Sequence, residues 1–373
     1  MSGPRAAPRG RICTGASNGA IRGSTRSSSP VRWADRLVPA NGLQIRPMRP
    51  KRLLLATALV CALAPGTWLR SPPPPRALQA EVRLTPIETR RVSRGPFTLV
   101  EGWELSGDPL RFGGFSALVA LPGGRFLAGT DTGRRLEFDR PDHGRQPGVF
   151  GPFESNETAY KNGRDLESLA VDPGSGIVWA GYEYRNSIVR LDAALRPGEE
   201  VFPALMADWS ANSGIESLVR LSDGRFLAIE ERPRRWRGSR HMAVLFAADP
   251  VEDSEPQSVV IDLPAGYRPV DATPAGEGRA LVLLRRLDWG VPPGFDTAIA
   301  EVDVDSPSAD GIVAARMLAE FGAAIPRDNY EGLAVTEDAD GMHLWLISDD
   351  NFMSFQRTLL LKLRWQPREK ARE

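Results

Sequence analysis

The sequence predicts an all-β fold: a β-propeller of five blades, closed by an N-terminal strand. Three observations predict it. A strand–turn–strand unit recurs five times along residues 115–365, and a period of this size marks repeat architectures. The chain holds 36 Gly and 32 Pro, which suits many short strands joined by turns. Its hydrophobic content of 42% is enough to fill a core.

The units begin at Phe115, Leu166, Ile215, Val270 and Tyr330. Each opens with an apolar residue, then a small or acidic one, then a short apolar run. A Gly/Asp-rich turn follows: 122–124, 172–176, 222–224, 276–278 and 338–341. Such clusters supply the positive φ angles that tight hairpins need. A second strand comes next, as in Arg125-Phe-Leu-Ala-Gly and His343-Leu-Trp-Leu-Ile, and a third ends several units, as in Leu359–Trp365. Fourth strands are expected at 200–206 and 257–263. The last unit lacks one, and 97–105 is expected to supply it, which would leave no open sheet edge in the ring. The units are spaced by 51, 49, 55 and 60 residues. A sixth blade within 285–330 stays open.

The propeller domain is expected at 81–367, with a short tail at 368–373. Residues 1–47 lack apolar periodicity and are expected to be disordered or an upstream extension. In 48–80, Met48-Arg-Pro-Lys-Arg52 precedes the apolar run Leu53–Ala64, the layout of a secretory signal, and a Pro-rich spacer follows at 72–75. The expectation is an exported protein, periplasmic or extracellular. Cleavage after Ala64, lipidation at Cys61 and an uncleaved membrane anchor all stay open.

Charge is uneven. Residues 1–80 carry 13 Lys and Arg and one acid, so the other 34 basic and 46 acidic residues give 81–373 a net charge of −12. An acidic body argues against nucleic acid, whose affinity comes from neutralised phosphates. It suits hard cations, which take oxygen ligands. The two cysteines, Cys13 and Cys61, precede the domain, which therefore has no disulfide, thiolate metal site or cysteine nucleophile. His143, His241 and His343 have no zinc-site spacing.

The first strand of each blade lines a propeller channel. One repeat phase reads Ser116, Glu167, Glu216, Asp271 and Glu331. A second set ends the second strands: Asp131, Glu183, Glu230 with Glu231, Arg285 with Arg286, and Asp349 with Asp350. Converging carboxylates repel, and burial adds to the cost, so a cation or arginines must offset them. Calcium is the expected cofactor, with Glu167, Asp271, Glu331, Asp349 and Asp350 as candidate ligands. Glu183, Glu216 and Arg286 are the candidate catalytic residues, and the expected ligand is a small anionic substrate. The alternative, that these acids only cap backbone N–H groups or pair with arginine, stays open.

The segments Asp165-Leu-Glu-Ser-Leu-Ala, Asn212-Ser-Gly-Ile-Glu-Ser-Leu, Asn329-Tyr-Glu-Gly-Leu-Ala and Ile347-Ser-Asp-Asp-Asn-Phe352 resemble the esterase-like activity of phytase family, also called phytase-like proteins. The resemblance covers roughly 95–365. It implies an exported bacterial propeller, and the family's name implies ester or phosphoester hydrolysis. One departure is Arg285, where an acid would be expected beside the arginine. The RHGxRxP motif of histidine-acid phytases is absent. Three functions follow as alternatives: a calcium-dependent phosphoesterase or esterase, a lactonase-like hydrolase with one channel metal, and a non-enzymatic binding propeller. A monomer is expected in each case.

Overall fold

The computed structural model describes residues 82–367, apart from 108–111, 143–147, 154–164, 236–237, 254, 291–292 and 354–355. The leader readings for 1–47 and 48–80 and the tail at 368–373 lie outside the described residues. Apart from the 3-10 turns Ala204–Met206 and Gly322–Ala324, the regular elements described are strands. No described helix is long and apolar enough to cross a membrane.

Three strands precede the first repeat: β1 (Val82–Pro86), β2 (Ser93–Arg94) and β3 (Phe97–Gly107). Blade 1 is β4 (Phe115–Leu121), β5 (Arg125–Thr130), β6 (Arg134–Asp139) and β7 (Val149–Pro152). Blade 2 is β8 (Leu166–Val171), β9 (Val178–Tyr182), β10 (Ser187–Leu191) and β11 (Pro197–Val201). Blade 3 is β12 (Ile215–Arg220), β13 (Phe226–Pro233), β14 (Arg240–Phe246) and β15 (Gln257–Asp262). Blade 4 uses β16 (Arg268–Pro274), β17 (Arg279–Asp288), β18 (Gly294–Asp303) and β20 (Arg316–Glu320). Blade 5 is β21 (Asn329–Asp338), β22 (Gly341–Asp349) and β23 (Thr358–Trp365).

The ring closes through β3. It pairs antiparallel with β23, from Thr358 opposite Leu105 to Trp365 opposite Phe97, and so forms the fourth strand of blade 5. β1 pairs along its outer side. The long stretch 285–330 holds no sixth blade. It holds β18, β20 and the short β19 (Ile312–Ala314), which adds parallel to β15 on the edge of blade 3. The strand expected at 200–206 lies earlier, at 197–201, because a 3-10 turn takes up 204–206.

Local chemistry explains the hairpins. In the β4–β5 turn, Gly123 and Gly124 have φ of 81° and 78°, which residues with a Cβ rarely adopt. Five apolar clusters then fill the five interfaces between neighbouring blades. One joins blades 5 and 1, where Trp345 packs on Trp103 and edge-on to Phe126. Another joins blades 2 and 3, with Trp179 edge-on to Phe226. The remaining three lie between blades 1 and 2, 3 and 4, and 4 and 5. Burying a large apolar side chain contributes about 1.5–3 kcal/mol, so each interface is a substantial stabilising unit.

Candidate functional site

In every blade the first strand begins, and the second ends, at the same mouth of the channel. Each first strand holds one extra residue against its partner. The register shifts fall between Phe115 and Ala117, Leu166 and Ser168, Ile215 and Ser217, Pro269 and Asp271, and Tyr330 and Gly332. The equivalent bulged residues are therefore Ser116, Glu167, Glu216, Val270 and Glu331. A bulge re-aims its extra residue, which is why bulges recur beside sites.

Asp271 is one residue out of this phase. It sits deeper and is fully buried. It accepts N–H bonds from Leu333 at 2.7 Å, Ala272 at 2.8 Å and Leu118 at 3.4 Å, and so ties blade 4 to blades 5 and 1. Burial pushes its carboxyl well up, while the three N–H donors favour the charged form. Its partners are backbone donors of three blades.

The pairing also resolves the doublets at the ends of the second strands. Asp131, Glu183 and Glu231 make the same main-chain bond, donating N–H to the carbonyls of Gly114 (3.0 Å), Asp165 (2.8 Å) and Gly214 (2.9 Å). Arg285 and Asp349 hold the matching positions, opposite Arg268 and Asn329. Acids thus stand at four of these five positions and at three of the five bulges.

Two of these mouth carboxylates converge with Asp165. Asp165, Glu167 and Glu183 each place an oxygen within 4.8 Å of the others. Glu183 is buried, receives the N–H of Gly214 at 3.1 Å and shares a hydrogen bond with Glu216. Burial pushes its carboxyl up to about 7. Glu167 is pushed well up, first by burial, then by the charges of Glu216, Asp165, Glu183 and Asp131. Glu216 is raised by burial and by Glu231 and Glu183, with Arg285 opposing.

Arg285 organises the opposite side of the mouth. It pairs with Glu331, reaches Glu231 at 3.4 Å and donates to the Asn329 side-chain oxygen at 3.0 Å. Asn329 in turn donates to Glu331 at 2.8 Å. Asp349 accepts the N–H of Asn351 at 2.7 Å, and burial raises its carboxyl to about 7. Both oxygens of Asp350 take protein donors: Gly114 N–H at 3.1 Å, Phe352 N–H at 3.0 Å and the Thr358 hydroxyl at 3.3 Å. Arg286 is not brought to the carboxylates. It pairs with Asp296 at 3.0 Å and lies 4.4 Å over the Tyr267 ring.

The candidate ligands therefore separate. Glu167 joins Asp165 and Glu183, whereas Glu331 is held by Arg285, Asp350 by backbone and Thr358, and Asp271 by the channel wall. Sequence reasoning missed Asp165, Arg285 and Asn329 as site residues. Asp165 stands two residues before Glu167, and that Asp-x-Glu spacing at a strand start was its available signal.

The set Asp165, Glu167 and Glu183 fits a hard divalent cation. Its donors are all carboxylate oxygens, and a span of 4.8 Å matches two calcium–oxygen bonds of about 2.4 Å across one ion. A second acid and histidine group, Asp338, Asp340 and His343, suits a metal poorly. Arg140 already holds both oxygens of Asp338, and Lys362 and Arg364 stand beside it.

No curated protein matches this sequence. Among solved structures, the Myxococcus xanthus glutaminyl cyclase is 12% identical, covering 73% of this chain and 97% of that one, at a TM-score of 0.42. A luciferin-regenerating enzyme is 14% identical, covering 78% and 92%, at 0.38, and U3-55K is 11% identical, covering 77% and 99%, at 0.40. Such distant likenesses carry no argument about chemistry. The profile of the phytase-like family matches residues 110–352, more than half of the chain, and takes in the mouth residues from Gly114 to Asp350. The chain belongs to the phytase-like family, described as esterase-like activity of phytase.

Proposed function

We propose that this protein is a calcium-dependent ester hydrolase whose site is the channel mouth. The observation that carries the reading is the convergence of Asp165, Glu167 and Glu183 within 4.8 Å, with Glu216 hydrogen-bonded to Glu183 beside them. Asp165, Glu167 and Glu183 would hold the ion. A bound calcium supplies positive charge that polarises an ester oxygen and eases deprotonation of water. Glu216 is half-buried beside Glu183 and holds a proton more tightly than a free carboxyl, which suits a group that takes and returns a proton. Arg285 fixes Glu331 and Glu231 and offers the one positive charge among the ten strand-start and strand-end positions.

The acid excess favours an ester with an uncharged scissile group, the lactonase-like case, because a phosphate would meet repulsion wherever calcium did not screen it. A phosphomonoester is the second reading. It is favoured by Arg232, Arg268 and Arg357 on the mouth side, where Arg232 lies 3.5 Å from Glu230. The basic and apolar leader at 48–64 supports an exported protein.

The test is a hydrolysis screen with p-nitrophenyl acetate, a γ-lactone and p-nitrophenyl phosphate, in calcium and in chelator. Calcium-dependent turnover of at least one ester is expected, and Glu216→Gln should lower kcat about 100-fold or more with little change in KM. Equal turnover in chelator, or no turnover of any of the three, would overturn the proposal.

A further inference from the structure

We infer that Phe352 selects the organic group of the ester, its ring forming an apolar subsite for an aromatic-sized moiety beside the carboxylates. The inference rests on the hydrolase reading for its substrate class and on separate geometry for its subsite. β22 ends at Asp349, and the chain turns at once. Asn351 and Phe352 take φ of 47° and 52°. Asparagine tolerates that left-handed region, but for a bulky aromatic residue it is an outlier.

The turn is held on both sides. Asn351 N–H donates to Asp349 at 2.7 Å, Phe352 N–H to Asp350 at 3.0 Å, and Met353 N–H to the Asp350 carbonyl at 2.7 Å. Asp350 is itself fixed by Gly114 N–H and Thr358. The neighbouring loop leaves room for the ring. Gly114 has φ of 68°, and a Cβ there would stand 2.6 Å from Phe352 Cζ and 2.6 Å from Asp131 Oδ1. The ring edge and the Asp131 carboxylate therefore flank one glycine. Asp131 acts electrostatically on both Glu167 and Asp349, which places the ring at the border of the proposed cation set.

This ring is not core. It is 36% exposed, and Met353 beside it is 46% exposed. Tyr184 and Trp289, on the mouth-side loops of blades 2 and 4, and Leu287, near the mouth end of β17, are also exposed large hydrophobic residues. A strained backbone here holds an apolar ring half in water next to a carboxylate. Only a partner group gains from that arrangement, because an apolar moiety laid on the ring removes both surfaces from water.

The test measures binding of phenylphosphonate and methylphosphonate to the calcium-loaded protein by calorimetry. Wild type should bind the phenyl compound about 10-fold tighter than the methyl compound, the scale of discrimination an apolar pocket provides. Phe352→Asn, which keeps the left-handed turn and loses the ring, should bind the two equally, with an unchanged or higher Tm. Phe352→Leu should keep part of the preference. Equal affinities in wild type, no binding of either compound, or a preference that survives in Phe352→Asn would overturn the inference. A phenyl preference in a protein that turns over no ester would remove the hydrolase reading and leave the subsite standing.

Discussion

Replacing Asp271 with alanine removes one buried carboxylate and leaves three backbone N–H groups facing each other in the channel. The bonds from Leu333 and Ala272 are short, at 2.7 and 2.8 Å, and the Leu118 bond is long, at 3.4 Å. A buried donor left without a partner costs about 1–3 kcal/mol, so the two short bonds dominate and the loss should be about 3–5 kcal/mol. Native domains have only about 5–15 kcal/mol in hand, so the variant should be folded but fragile. Asp271→Asn keeps one acceptor oxygen for Leu118 and Leu333 and turns its NH2 toward Ala272, at a cost of about 1–2 kcal/mol. Urea unfolding followed by tryptophan fluorescence measures both, provided the slope of the transition is unchanged. Calcium should stabilise Asp271→Asn as much as wild type, because Asp271 serves backbone and not the cation. An alanine variant within 1 kcal/mol of wild type, or an asparagine variant worse than alanine, would refute this reasoning.

Glu183 and Asp349 have carboxyls raised to about 7 from ordinary values of 4.5 and 3.8, so the folded state binds protons that the unfolded state releases. Their stabilisation is complete below about pH 4 and is lost as pH rises through 7, by about 3–4 kcal/mol for either group taken alone. The melting temperature in chelator should fall from pH 5 to pH 8, and calcium should flatten that fall; a chelated protein that gains stability over this range contradicts the assignment. Just after β6, buried Arg140 holds Asp142 at 2.8 Å and Asp338 at 2.7 Å and lies 5.3 Å over Trp345, bridging blades 1 and 5. Arg140→Ala should cost about 3–5 kcal/mol in urea unfolding, because it leaves two carboxylates to Lys362 and to His343 beside Asp338.

Much of the architecture was legible because the repeats carry local chemistry. Turn clusters such as Pro122-Gly-Gly124 fix hairpins on their own, and the missing fourth strand of the last unit pointed to 97–105. The phase of the acids was harder. Val270-Asp-Ala-Thr reads like Ile215-Glu-Ser-Leu, yet its bulge falls at Val270, one residue before the acid. Bulge position is set by pairing with the next strand, and a slip of one residue moves a side chain to the other face. The same holds for Arg285 and Arg286. Adjacent residues on β17 point to opposite faces, and only the register with β16 and β18 tells which one meets the carboxylates. Asp165 escaped notice because it precedes the strand and is drawn in by the main-chain bond between its carbonyl and the Glu183 N–H.

The most direct measurement of the central claim is calcium titration by calorimetry, on wild type, Glu167→Gln and Glu331→Gln. The account predicts one calcium site per chain in wild type. Glu167→Gln should weaken it at least 10-fold, because it removes one of three converging oxygens. Glu331→Gln should bind calcium as wild type does, since Glu331 is held by Arg285 and Asn329. No calcium binding in wild type, or a site lost in Glu331→Gln and kept in Glu167→Gln, would contradict it.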